Sequence, residues 1–149
     1  MDSCRLPDAE GDMDVIDKIF ALKTIAVVGC SPRPERPSHY VAEYLREQGY
    51  RIIPVNPGQA EILGEKCYPS LSDIPGKIDI VDVFSRSEEV RPVIEEAIKI
   101  GAKAVWLQDG ISDPEGEEKA RRAGLLVVSS DCMMREHDRR VRSRTQGNG

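Results

Sequence analysis

The sequence predicts an α/β fold, Rossmann-like and doubly wound, with a mainly parallel sheet of about five strands and helices on both faces. Two observations carry this. Short apolar runs rich in Val and Ile alternate with amphipathic helical patterns about every 25 residues, the spacing of βαβ crossovers. The first run, Thr24 to Val28, stops at Gly29, passes through a Pro/Arg/Ser-rich loop and enters the helical pattern HYVAEYLREQG. Strand, glycine turn and helix in that order form the unit that holds nucleotide phosphates at a helix N-terminus.

The elements follow in chain order. DVIDKIFA, Asp14 to Ala21, spaces its apolar residues as a short helix. Thr24 to Val28 is the first strand. Ser38 suits the N-cap of the next helix, which runs to Gln48, stops at Gly49 and buries Val41, Tyr44 and Leu45. The second strand, Tyr50 to Val55, ends in the turn signal Asn56-Pro57-Gly58. Gln59 to Lys77 is irregular: Ile62-Leu63-Gly64 reads as one helical turn, Lys66 to Tyr68 as a short edge strand, and Leu71 to Pro75 as a second turn. Ile78 to Phe84 is a strand whose two aspartates alternate with apolar residues, so one face is partly polar or lies near a sheet end. Ser87 caps the third helix, with Glu88 and Glu89 at its positive end and Gly101 at its stop. Pro92 is expected in or near its first turn, because a later proline kinks a helix. Ala104 to Leu107 is a buried strand; Asp113 and Pro114 then open a helix to Ala123, with Gly124 at its end. Leu125 to Val128 is the last strand, and Asp131 caps a final helix through Arg140. Residues 1–13 read as a disordered lead, 14–140 as the folded domain and 141–149 as a disordered tail.

A chain of 149 residues, 40% apolar and 32% charged, is long enough for one domain with its own core. The net charge of −5 argues against a nucleic-acid binder, which shows a basic excess. No apolar run approaches the roughly 20 residues of a membrane helix. The acidic N-terminus also lacks the apolar stretch of a secretory signal. Cys4, Cys30, Cys67 and Cys132 form no CxxC pair, so neither zinc nor a redox dithiol is signalled; reduced thiols and a cytoplasmic location are expected. Two distant histidines and scattered carboxylates make no metal site, and no nucleophile–base pair is visible, so binding is expected rather than catalysis.

Ligands of such sheets bind at the carboxyl ends of the strands. Those ends are Gly29–Ser38, Asn56–Gly58, Phe84–Ser87, Gln108–Ile111 and Ser129–Cys132. The first loop has only Gly29 of a GxGxxG pattern, and Arg33 and Arg36 stand where a dinucleotide loop carries more glycine. Asn56 stands where an NAD site places an acid for the ribose 2′-hydroxyl. Both features favour a nucleotide with additional phosphate, such as NADP or coenzyme A, over NAD. Solvated loop arginines remain the alternative. His39 reads as a surface histidine at a helix start, and His137 as part of a charge cluster on a helix face. Cys30 and Cys132 stand where a thiol pKa can be depressed, but packing is the commoner role of such cysteines.

Taken together, VVGCSPRPERPSHYVAEYLREQGYRIIPVNPG, ILGEKCYPSLSDIP, IDIVDVFSRSEEVRPVIEEAIKIGAKAVWLQDGI and AGLLVVSSDC resemble the small stand-alone CoA-binding domain proteins. These in turn resemble the N-terminal CoA-binding domain of the succinyl-CoA synthetase α subunit. The likeness covers about Asp14 to Asp138, and its specificity lies in the order of the segments rather than in any one of them. It implies a fold that binds coenzyme A or an acyl-CoA. Gly29, Cys30, Ser31, Arg33, Arg36 and Ser38 would hold the phosphates. Val55, Asn56 and Pro57 would lie beside the adenosine, and Phe84, Ser85 and Arg86 would cover the nucleotide or pantetheine. Leu107, Gln108 and Gly110 would line the path of the thiol arm. Two features depart from the family. The synthetase domain that carries a phosphorylated histidine has no counterpart in this sequence, so ligase activity is not implied. Asp131 stands where related proteins often have a basic residue before the cysteine. The alternatives are a subunit that presents CoA to a separate catalytic chain, as in a split acyl-CoA synthetase, and an NAD(P)-binding sensor.

Overall fold

The computed structural model describes residues 14–148. Its strands are β1 (Thr24–Val28), β2 (Arg51–Val55), β3 (Glu61–Ile62), β4 (Glu65–Lys66), β5 (Ile80–Val83), β6 (Ala104–Leu107) and β7 (Leu126–Val128). Five of them form one parallel sheet in the order β2-β1-β5-β6-β7, and β3 with β4 makes a small hairpin. The helices are α1 (Val15–Phe20), α2 (Pro37–Glu47), α3 (Ser87–Lys99), α4 (Pro114–Arg122) and α5 (Met133–Asn148). This is the α/β, Rossmann-like architecture expected from the sequence. The expected lead, residues 1–13, lies outside the described residues.

Side chains alternate across a strand, so each strand feeds two cores. Ile25 and Val27 of β1 pack with Val41 and Leu45 of α2, Trp106 of β6, Ile19 of α1 and Met133 of α5. Ala26 and Val28 pack with Ile94 and Ala97 of α3, Leu107 of β6 and Ala120 of α4. In register, Val27 stands opposite Asp82, Asp82 opposite Trp106, and Trp106 opposite Val128. One row of the α1/α2/α5 layer therefore contains a carboxyl. The strand start is fixed by the other aspartate of IDIVDVF: Asp79 Oδ2 accepts the Lys23 and Thr24 N–H groups at 3.1 Å each.

Several local readings change. Ile62-Leu63-Gly64 is a hairpin turn rather than a helical one, because Leu63 (φ 58°) and Gly64 (φ 74°) both take positive φ, as the tightest two-residue hairpins require. Lys66 lies in β4, and Tyr68 forms a single parallel bridge to Val55. Helix α2 begins at Pro37, with Arg36 at the N-cap, so Ser38 lies inside the first turn; proline favours the first helical position. Helix α3 begins at Ser87 with Arg86 at the N-cap, and Pro92 falls in its second turn, where the Glu88 carbonyl loses its helical partner. Helix α5 starts two residues beyond Asp131 and continues to Asn148 rather than stopping at Arg140.

Helices α3 and α4 are joined by Arg91, whose Nε and Nη2 donate to the two oxygens of Asp113 at 2.5 and 2.7 Å. Gly116 makes room for this pair. A Cβ there would strike Asp113 Oδ2 and lie 2.9 Å from Ile94 Cδ1 and 3.0 Å from Arg91 Nε. Gly116→Ala gains helix propensity but overpacks the joint, and a net loss of about 1–2 kcal/mol is expected in urea unfolding. An unchanged or raised midpoint would show that the joint yields freely.

Candidate functional site

The strand order reverses between β1 and β5: the chain leaves β1 for β2 on one side and later crosses to β5 on the other. At such a switch point the loops at the carboxyl ends diverge and leave a crevice. Gly29 sits at its floor with φ +84°, and a Cβ there would meet Phe84 C at 3.4 Å and Phe84 Cβ at 3.5 Å. A side chain would therefore be strained at Gly29 and would crowd the β5 exit. The result is an open groove of about 800 Å³. Gly29, Ser31, Arg36, Pro37 and Ser38 line it from the first loop, and Tyr40 and Val41 from α2. Phe84 and Arg86 follow from the β5 exit, Gln108, Asp109 and Ile111 from the β6 exit, and Cys132, Met134 and Arg135 from the start of α5.

The first loop is braced from within. Ser38 Oγ accepts the Ser31 N–H at 2.9 Å, and His39 Nδ1 donates to the Ser31 carbonyl at 2.9 Å. His39 is thus a buried brace and not the expected surface histidine. Asn56 Nδ2 donates to the Cys30 carbonyl at 2.8 Å while its Oδ1 accepts the Gly58 N–H at 2.8 Å. Both ends of the Asn56 amide are spent on the protein. Cys30 itself is fully buried, its thiol donating to the Ser38 carbonyl. Burial, with smaller contributions from Cys67 and Asp82, pushes that thiol up to about 12, the reverse of an activated thiolate.

Charge divides the groove. No described residue forms an ion pair or side-chain hydrogen bond with Arg36 or Arg86, and no side chain caps α2. On the opposite wall Arg135 is already bound, by Asp109 at 2.9 and 3.0 Å and by Asp131 at 2.8 Å. The Arg135 hydrogen bonds hold the Asp109 carboxyl below the usual carboxylate range. The β6 exit is also tied to the β7 exit: the Gly110 N–H donates to Ser130 Oγ at 3.2 Å and the Ser130 N–H to the Ile111 carbonyl at 3.1 Å. One wall thus offers free cations, and the other, with Asp109 and Asp131 against one Arg135, is net acidic and linked by hydrogen bonds.

Of the residues expected from the sequence, Gly29, Ser31, Arg36, Ser38, Phe84, Arg86 and Gln108 meet at the groove. Arg33 is exposed on the loop outside that lining, as is Pro57 beyond β2. Val55 and Leu107 lie in the core and Cys30 in the opposite one, while Ser85 and Gly110 flank the lining residues. Sequence reasoning missed Tyr40, Asp109, Ile111, Met134 and Arg135. Asp109 and Ile111 were within reach as part of a strand exit. Arg135 carried no signal, because only its pairing with Asp109 brings it to the wall. His137 also differs from expectation: it turns inward, bonded to Tyr44 Oη at 2.9 Å and packed edge-on to Phe20, Tyr44 and Tyr50. Burial pulls its pKa down. Among the described residues no metal-binding cluster occurs, and no helix is long and apolar enough to cross a membrane.

Parallel sheet, switch-point crevice and glycine turn together define a Rossmann-like α/β domain with its groove at the carboxyl ends of the strands. Residues 23–138 match the family described as CoA binding domain, and the chain belongs to that family. It is 44% identical to Bacillus subtilis YneT over 115 residues, 77% of this chain and 85% of that protein. It is 32% identical over 130 residues to acetate–CoA ligase [ADP-forming] II subunit alpha of Pyrococcus furiosus, covering 80% of this chain but 28% of the subunit. Against acetate–CoA ligase [ADP-forming] II of Archaeoglobus fulgidus the identity is 36%, and the match spans 16% of the ligase. The structure superimposes on a hypothetical protein from Pyrococcus horikoshii OT3 with a TM-score of 0.81 at 45% identity, covering 93% of this chain and 98% of that one.

Proposed function

We propose that this protein binds coenzyme A or an acyl-CoA in the switch-point groove and performs no self-contained catalysis. The observation that carries the reading is the pair of unpartnered arginines, Arg36 and Arg86, beside the Gly29 turn and the uncapped start of α2. Phosphate groups are matched there by charge, by helix amides and by guanidinium geometry. The family match supports the same ligand. The opposite wall, with Gln108, Cys132, Met134 and two carboxylates against one arginine, repels a phosphate and suits the uncharged pantetheine arm. An NAD-type reading loses support, because Asn56, at the position of the ribose acid, is not a carboxylate and its amide is held by Cys30 and Gly58.

Calorimetric titration with CoA, acetyl-CoA, NAD⁺ and NADPH tests the proposal; micromolar or tighter binding of CoA species alone is expected. Within the site, Arg36→Ala with Arg86→Ala should weaken CoA by about 1.5–3 kcal/mol more than dephospho-CoA if these residues meet the 3′-phosphate. Equal losses for both ligands would place them elsewhere.

The likeness to a ligase α subunit favours a second reading, in which the protein presents CoA to a separate catalytic chain. A stable complex with a nucleotide-grasp protein, together with CoA-dependent acyl transfer by the pair and by neither alone, would establish it. A cytoplasmic location is proposed with either reading.

A further inference from the structure

We infer that Asp82 is a positioning residue for the ligand: it holds the Gln108 amide so that Oε1 faces the groove and accepts a hydrogen bond from an amide N–H of the pantetheine arm. The inference rests on the CoA reading of the groove and adds to it a residue that touches no ligand.

Asp82 lies in the middle of β5 and is completely buried. Its Oδ1 accepts from Gln108 Nε2, and its Oδ2 has no partner. Gln108 directly follows β6 and lines the groove, although the residue is only 4% exposed. An amide has one donating end and one accepting end. Here the donating end is turned inward to Asp82. No described residue donates to Oε1, and Oε1 is not among the fully buried atoms without a partner, so it opens onto the groove.

A fully buried carboxyl with half its capacity unmet is costly, and an apolar side chain of similar shape would avoid that cost. What the carboxyl supplies is direction. Without it the two ends of the Gln108 amide are nearly isosteric, and the side chain can present its NH₂ to the groove instead. Ionised, the carboxylate only accepts, and the wall then offers an acceptor only. Coenzyme A carries its acceptors chiefly at the phosphates, which the free arginines take. On the arm, the neutral donors are two amides, a hydroxyl and the thiol; the amides are the stronger fixed donors, and the acceptor at Gln108 fits one of them.

The test compares wild type, Asp82→Asn, Asp82→Val and Gln108→Met by calorimetry at pH 8, where Asp82 is ionised, with CoA, pantetheine and adenosine 3′,5′-bisphosphate. Asn can accept from Gln108 Nε2 or donate to Gln108 Oε1 and so fixes no direction, and Asp82→Asn should weaken CoA and pantetheine severalfold, with little change in volume, while leaving the bisphosphate unchanged. Asp82→Val should weaken CoA and pantetheine at least tenfold and leave the bisphosphate unchanged. In the Gln108→Met background, Asp82→Val should have no further effect, because Asp82 acts only through Gln108. Should Asp82→Val fail to fold, Gln108→Met against Asp82→Asn still separates the two ligand halves. Equal losses for CoA and the bisphosphate, or additive effects in the double variant, would overturn the inference while the CoA reading stands. Wild-type protein that binds no CoA would overturn the reading of the groove and this inference with it.

Discussion

Between about pH 4 and pH 7 the protein should lose about 4 kcal/mol of stability through Asp82 alone. Burial raises this carboxyl from 3.8 to about 7, against a single opposing hydrogen bond from Gln108. Below pH 4 the group is protonated whether the chain is folded or not, and it adds no pH-dependent cost. Above pH 4 the unfolded chain ionises and gains hydration that the folded chain cannot match, so stability falls as pH rises. The fall ends near pH 7, where the folded protein ionises too. Roughly three pKa units at about 1.4 kcal/mol each give the total. The carboxylates held low by arginine, Asp17, Asp109 and Asp113, act in the opposite sense at the acid end. They are common to wild type and Asp82→Asn and cancel in the difference. Urea unfolding of both proteins from pH 4.5 to 8 should show the variant gaining on wild type as pH rises. At the acid end the two should be close, since the protonated Oδ2 of Asp82 and the Nδ2 of the variant both lack an acceptor. A difference that stays constant with pH would mean that Asp82 is not ionising within the fold.

That a carboxyl belongs to the core was only half legible. The alternation in IDIVDVF showed a polar face, and for Asp79 the sheet-end reading holds, since it accepts the first amides of β1. Asp82 carries the same local pattern and lies fully buried. Only its cross-strand neighbours, Val27 and Trp106, decide that, and pairing between distant strands leaves no mark in a local window. The parallel sheet was legible because its strands are buried on both faces and read as near-continuous apolar runs. The hairpin at Leu63 was not, because a leucine at positive φ is uncommon and gives no turn signal. The start of α2 was readable from Pro37 but passed to Ser38, a good cap type that instead staples the loop to Ser31. For the groove, the Gly29 loop announced itself by strand, turn and helix. The opposite wall did not, because it exists only through contacts between loops, Gly110 with Ser130 and Arg135 with Asp109.

Trp106→Ala should cost about 3–5 kcal/mol and lower the melting temperature by roughly 10 °C or more. Trp106 is the chain's one tryptophan and is completely buried in β6, its ring 5.6 Å from that of Phe20. It fills the layer between β6 and helices α1 and α5, so truncation leaves a cavity that the surrounding strands cannot close. Its indole N–H also donates to the Asp131 carbonyl at 2.9 Å. That bond anchors the segment just ahead of Cys132 and Met134, which form part of the groove wall. Trp106→Phe separates the two roles. It keeps most of the volume, loses the hydrogen bond, and should cost about 1–2 kcal/mol of stability. If the wall depends on the anchor, CoA affinity should fall in Trp106→Phe even where the protein is fully folded. Affinity unchanged in the phenylalanine variant would show that Arg135 and Ser130 hold the wall without it. The core and the groove meet in this one residue, as they do in Asp82 beside it: the layer that stabilises the sheet also sets the side chains a ligand would meet.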